Sequence, residues 1–189
     1  MLLASDHLVA EVARVHRLKP RQTNAESVAR GAVLISTLAG VDAEVAASAA
    51  SLLLDPPLAA FVRQPLHIVA KLDVTLGGSG VPSAPDGLVT LAGVVAHDPP
   101  TGAGADALGL TYGALDHGLA VGLIVSRLVA MVSGLDPKGL CVPEVYYNRH
   151  RGRFITALEA YPADPQPLYQ LYEEAMFAGA REAAGIARQ

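Results

Sequence analysis

Residues Leu119 to Val132, LAVGLIVSRLVAMV, form the longest apolar run in the chain, interrupted by one charge, Arg127. The run is too short to span a bilayer. It therefore reads as a helix buried in a protein core, and such a helix needs other apolar helices to cover it. The rest of the sequence supplies them. Apolar residues recur at helical spacing almost everywhere, and nothing reads as a long strand.

Punctuation along the chain divides it into helices. Ser5 caps a first helix with Leu8, Val12 and Val15 on one face, ending near Pro20. Asn24 caps a second, from Ala25 to Ala39, with Gly40 as its terminator. Asp42 opens a third that Asp55-Pro56-Pro57 closes, and a fourth from Leu58 breaks or restarts at Pro65. A fifth starts at Asp86 or Gly87 and runs through Ala96. Further helices are expected over Asp106–Leu115, Leu119–Ser133, Pro143–His150 and Gly152–Ala160. A last one is expected from Pro167 to near Arg188. Loops are expected near 77–87 and 97–105, the first carrying Gly77-Gly78-Ser79-Gly80. The expectation is an all-α fold, one compact domain over 1–189 with about eight to ten helices.

Composition narrows the function classes. The chain of 189 residues is long enough for one real core, and 51% of it is apolar against 17% charged. A net charge of −4 argues against general nucleic-acid binding, which needs a basic face. The single Cys141 cannot form an internal disulfide and fits a reducing compartment. Acids and His near the N-terminus do not suit a signal peptide. The expectation is a cytoplasmic protein without nucleic acid or membrane as partner, and the apolar content points to a homo-oligomer.

The segment Tyr112 to Tyr161 pairs the apolar run with a tight turn, GLDPKGLCVPE, and a basic, aromatic helix, VPEVYYNRHRGRFITALEAY. This order resembles the back half of a Fic (Fido) domain. The N-terminal stretches NAESVARGAVLISTLAGVD and FVRQPLHIVAKLDVTLGGSG are also similar to an actinobacterial Fic-like group. The resemblance implies an all-helical Fic-like domain. In that family a loop of pattern HPFxxGNGRxxR transfers AMP from ATP to protein hydroxyls. Its His is the general base, its Gly-Asn-Gly turn presents N–H groups to phosphate, and its arginines neutralise the phosphate charge.

The matching segment does not spell that loop. In the register set by Gly134, Tyr112 stands at the His position, Gly113 at the Pro and Ala114 at the Phe. Gly118 replaces the Asn, and Ala120 and Leu123 replace the two arginines. Counted from His117, the arginine positions fall on Val125 and Leu128; counted from His97, on Ala105 and Leu108. Arg127 fits neither register. The family's inhibitory motif, Ser/Thr-x-x-x-Glu-Gly, is similarly altered: Ile35 to Gly40 places Ala39 at the Glu position.

Several residues remain candidates for a site. Asp116, His117 and Gly118 precede the apolar helix, where N–H groups could face a small anion, or where the trio simply forms a capping turn. Arg127 must point outward, pair with a carboxylate, or hold a ligand, because an unpaired buried charge is costly. Tyr146, Tyr147, Arg149, His150, Arg151 and Arg153 form a basic-aromatic cluster suited to a phosphate, a base or an acidic partner, or to a solvated helix face. Gly118, Arg127, Tyr147, Arg149 and Arg153 are the candidates for cofactor contact. The six His residues show no metal-ligand spacing, so no metal is expected. The Gly-rich loop lacks the Gly-Lys-Ser/Thr end of a phosphate loop and is expected to be flexible.

The leading expectation is a degenerate Fic-fold protein that acts by protein or ligand binding, with no cofactor. One alternative is a divergent, active nucleotidyltransferase using Asp116, His117, Arg127 or the Arg149–Arg153 cluster, for which ATP and Mg would be the cofactors. The other is an unrelated helical bundle that docks a cytoplasmic protein or a second copy.

Overall fold

Helix starts follow the side chains that can satisfy free N–H groups. In the computed structural model, which describes residues 4–17, 23–96 and 98–187, Ser5 Oγ accepts from Leu8 N–H at 3.3 Å and opens α1, Asp6–Arg17. Helix α2, Asn24–Ala39, is capped by Thr23, not by Asn24: Thr23 and Glu26 exchange side chain-to-backbone bonds in a capping box. Asn24 is the first helical residue, and its amide instead donates to Leu53 O at 3.2 Å. Gly40 ends α2 at φ 68°, the left-handed geometry that suits glycine. Asp42 caps α3, Ala43–Ala50, accepting from Glu44 and Val45 N–H, and one 3₁₀ turn follows at Ser51–Leu53.

Pro65 separates α4, Leu58–Arg63, from α5, Pro65–Thr75. Helix α6 spans Pro85–Ala96 and α7 spans Ala103–Tyr112. The second long loop therefore ends earlier than the sequence suggests, and α7 stops three residues short of Leu115. Helices α8, Gly118–Val132, α9, Glu144–Arg149, α10, Arg151–Ala160, and α11, Gln166–Ala187, complete the chain. The described residues hold eleven α-helices and no strand. Short helices divided at Pro65 and His150 account for the number.

Helix α8 is the central rod. From Ala120 to Met131 every residue is buried, Arg127 included. It packs most extensively on α7 and also meets α2, α3, α4 and α5. Two glycines one turn apart set the closeness of the α7–α8 seam. A Cβ at Gly118 would collide with the carbonyls of Thr111 and Tyr112, and one at Gly122 with the Thr111 hydroxyl. Leu8, Val12 and Val15 of α1 are buried as the periodicity predicts, and α1 lies along α11.

Candidate functional site

The start of α8 is the first place to look for anion chemistry, since a helix N-terminus offers free N–H groups and a positive dipole end. Here some of those groups, at His117 and Gly118, already have partners within the chain. Asp73, on α5 and fully buried, accepts His117 N–H through Oδ1 and Gly80 N–H through Oδ2, both at 2.9 Å. Gly118 N–H donates to Leu115 O at 3.2 Å. Asp116 Oδ2 accepts Ser79 N–H at 2.8 Å, and these bonds from Ser79 hold the carboxyl below its ordinary range. Two acids therefore stand at the mouth of α8.

The same bonds overturn the expectation of a flexible Gly-rich loop. Residues 77–80 wrap the Asp73 carboxylate, and a Cβ at Gly78 would overlap it. Gly78 N–H also donates to Asp73 O at 2.9 Å. The glycines are there because the backbone must close on a side chain.

Arg127 is 4% exposed and paired inside the protein. Its Nη2 donates to Ser27 Oγ at 2.8 Å and to Gly139 O at 3.0 Å. Its Nη1 lies 3.9 Å from Oε1 of Glu144, which is fully buried. Gly31 on α2 leaves room for the guanidinium, since a Cβ there would sit 2.5 Å from Nη1. Burial outweighs the attraction of Arg127 and raises the Glu144 carboxyl above its ordinary range. Among the described residues, Arg127 Nε and Nη1 and both Glu144 carboxylate oxygens have no hydrogen-bond partner.

The basic-aromatic cluster divides between core and surface. Tyr147 is buried and stacks on Phe154, ring centroids 4.2 Å apart. Arg153 forms a two-armed pair with Glu174, at 2.6 and 3.1 Å, and Tyr146 donates to the same carboxylate at 2.8 Å. Arg151 donates to Leu38 O, while Arg149 is exposed. The candidates do not converge. Ten residues of helix separate His117 from Arg127, about 15 Å at helical rise, and Tyr147 and Arg149 lie on α9 and Arg153 on α10. His97 falls outside the described residues. Among the described residues no cluster of His, Cys, Asp or Glu could hold a metal ion, and no helix is long and apolar enough to cross a membrane.

A site without any sequence motif lies between α6, α7 and the end of α10. It is a cavity of about 430 Å³. Gly87, Gly109 and Gly113 are among its lining residues, together with Tyr112, Glu159 and Tyr161. The Tyr161 ring lies against Gly109, and its hydroxyl donates to Asp106 Oδ1 at 2.8 Å. Tyr169 donates to the same oxygen at 2.6 Å, so Asp106 fixes the aromatic wall. Burial, then the bond to Asp106, pushes both phenols well above their ordinary range.

Sequence reasoning missed Asp73, Glu144 and Asp106, the three buried acids that organise these places. Comparison of the chain with family models, with curated proteins and with solved structures gives no match.

Proposed function

We propose that this chain is a Fic-like helical protein that works by binding and not by AMP transfer. The observation that supports this best is the occupied start of α8. In the register of the resemblance, phosphate would meet the N–H groups beside His117 and Gly118. The Asp73 carboxylate takes the His117 N–H at 2.9 Å, and ionised Asp116 stands next to it. Acidic side chains at that point disfavour a triphosphate, and among the described residues no arginine pairs with either of them.

The binding partner is a cytoplasmic protein or a second copy of the chain. Val33, Leu54, Val81 and Val89 are each half exposed or more, which supports association through apolar surface. The lone Cys141 is buried and free, which suits the reducing cytoplasm. ATP and Mg belong only to the alternative reading of a divergent transferase.

The test is thermal unfolding with millimolar Mg-ATP, AMP or GTP, followed by transfer of labelled AMP to proteins of a cell extract. Neither a shift nor a transfer is expected. A nucleotide at hundredfold excess over its Kd would add about 2.7 kcal/mol of stability. That gain, with AMP transfer that His117→Ala abolishes, would overturn the reading. Sedimentation equilibrium tests self-association directly.

A further inference from the structure

We propose that the cavity between α6, α7 and α10 binds a small primary amine carrying a flat apolar group. The inference rests on the binding reading above and names a ligand class for it. Three observations carry it.

The first is shape. About 430 Å³ is the size of a small-ligand pocket, and at Gly113, in its lining, a side chain would stand in open space. The second is wall chemistry. Tyr112 and Tyr161 offer ring faces, and Tyr161 is held by its bond to Asp106 at 2.8 Å. A ring fixed before the ligand arrives loses little freedom on binding. Aromatic faces also attract an ammonium group.

The third is charge. Glu159 is the only charged residue among those lining the cavity. Its exposed carboxylate has no hydrogen-bond or ion-pair partner among the described residues. No Lys, Arg or His lines the cavity, so a phosphate or carboxylate would meet only Glu159 and be repelled. An amine on an apolar body places its cation beside Glu159 and its flat group between the rings.

The experiment is calorimetric titration of the full chain with naphthylmethylamine, naphthylmethanol and naphthoate. The expected order is amine first, the neutral alcohol about fivefold weaker, and no binding of naphthoate. Glu159→Gln, at an exposed position, is expected to bring the amine down to the level of the alcohol and leave the alcohol unchanged. Gly113→Leu is expected to abolish binding of both. A Cβ at Gly113 meets nothing within 4 Å, so the fold accepts it while the side chain fills the cavity. Ala84→Leu, also in the lining, replaces it if circular dichroism shows that Gly113→Leu is unfolded.

Equal binding of the three probes, no binding of the amine, or amine binding that survives a filled cavity would each overturn the proposal. Loss of this proposal without AMP transfer leaves the binding reading standing. AMP transfer removes that reading itself.

Discussion

Asp73 and Glu144 are both fully buried acids, and both reach α8, yet the chain treats them in opposite ways. Asp73 is surrounded by backbone donors: each oxygen accepts an N–H at 2.9 Å, one from the first turn of α8 and one from the loop before α6. Glu144 instead has a charge for a neighbour. Arg127 Nη1 is 3.9 Å from its Oε1, and among the described residues no other group offers its carboxylate a hydrogen bond. A buried acid saturated by amides acts as a clip that ties separate segments together. A buried acid facing a guanidinium at a distance adds little net stability, because desolvation offsets the attraction. The two sites should therefore answer differently to removal.

Arg127→Ala should be the most damaging change. It leaves Glu144 without its guanidinium neighbour, deprives Ser27 Oγ of its donor and leaves Gly139 O with the Ser27 hydroxyl alone, at a cost of about 4 kcal/mol in urea unfolding. Replacing the pair together, Arg127→Met with Glu144→Leu, should recover most of that loss. If the double variant is as unstable as the single one, the pair is a net stabiliser and the contrast with Asp73 fails.

Asp73→Ala should cost about 3 kcal/mol, since two N–H groups lose their acceptor. No partner change can rescue it, because the partners are backbone. Faster amide exchange at Gly80 and His117 should accompany the loss, while Arg127 and its neighbours stay protected. Gly31→Ala should cost about 2 kcal/mol in thermal unfolding, through collision of the new methyl with the Arg127 guanidinium.

The pair also makes a prediction in pH. Glu144 has a raised carboxyl in the folded state, so folding favours its protonated form. Its contribution is fully present below the unfolded carboxyl pKa and is lost as pH rises through the folded value. Stability curves across the weakly acidic range should show this downward slope in the natural protein, and Glu144→Gln should flatten it. Arg153→Ala marks the lower end. Its pair with Glu174 is half exposed, so the loss should stay near 0.5 kcal/mol or below, and added salt should shrink it further.

Much of the helical frame was legible because its signals are local. Ser5 and Asp42 cap, Pro65 interrupts and Gly40 terminates where their chemistry requires, and the apolar run is buried from Ala120 to Met131. Arg127 was recognisable as a residue that needs a partner. The partners were not recognisable, because they come from other elements: Ser27 lies 100 residues away in sequence. Asp73 sits in KLDVTL with nothing to mark it as buried, and its donor His117 is 44 positions later. Gly77 to Gly80 looked mobile because glycine permits freedom, and only the folded chain shows the carboxylate that uses it. The cavity is lined by residues of α6, α7 and the end of α10, segments far apart in sequence and joined by no periodicity.

The glycine seam between α7 and α8 also bears on the order of assembly. These helices are joined only by residues 113–117, so bringing them together closes a short loop and loses little chain entropy. The contact between His16 and Asp136, 120 residues apart, closes most of the polypeptide at once. Contacts near in sequence form sooner than distant ones. The tight hairpin is thus the natural nucleus of folding, onto which α2 and α5 condense. By the same rule the contact between α1 and α11, far apart in sequence, forms late.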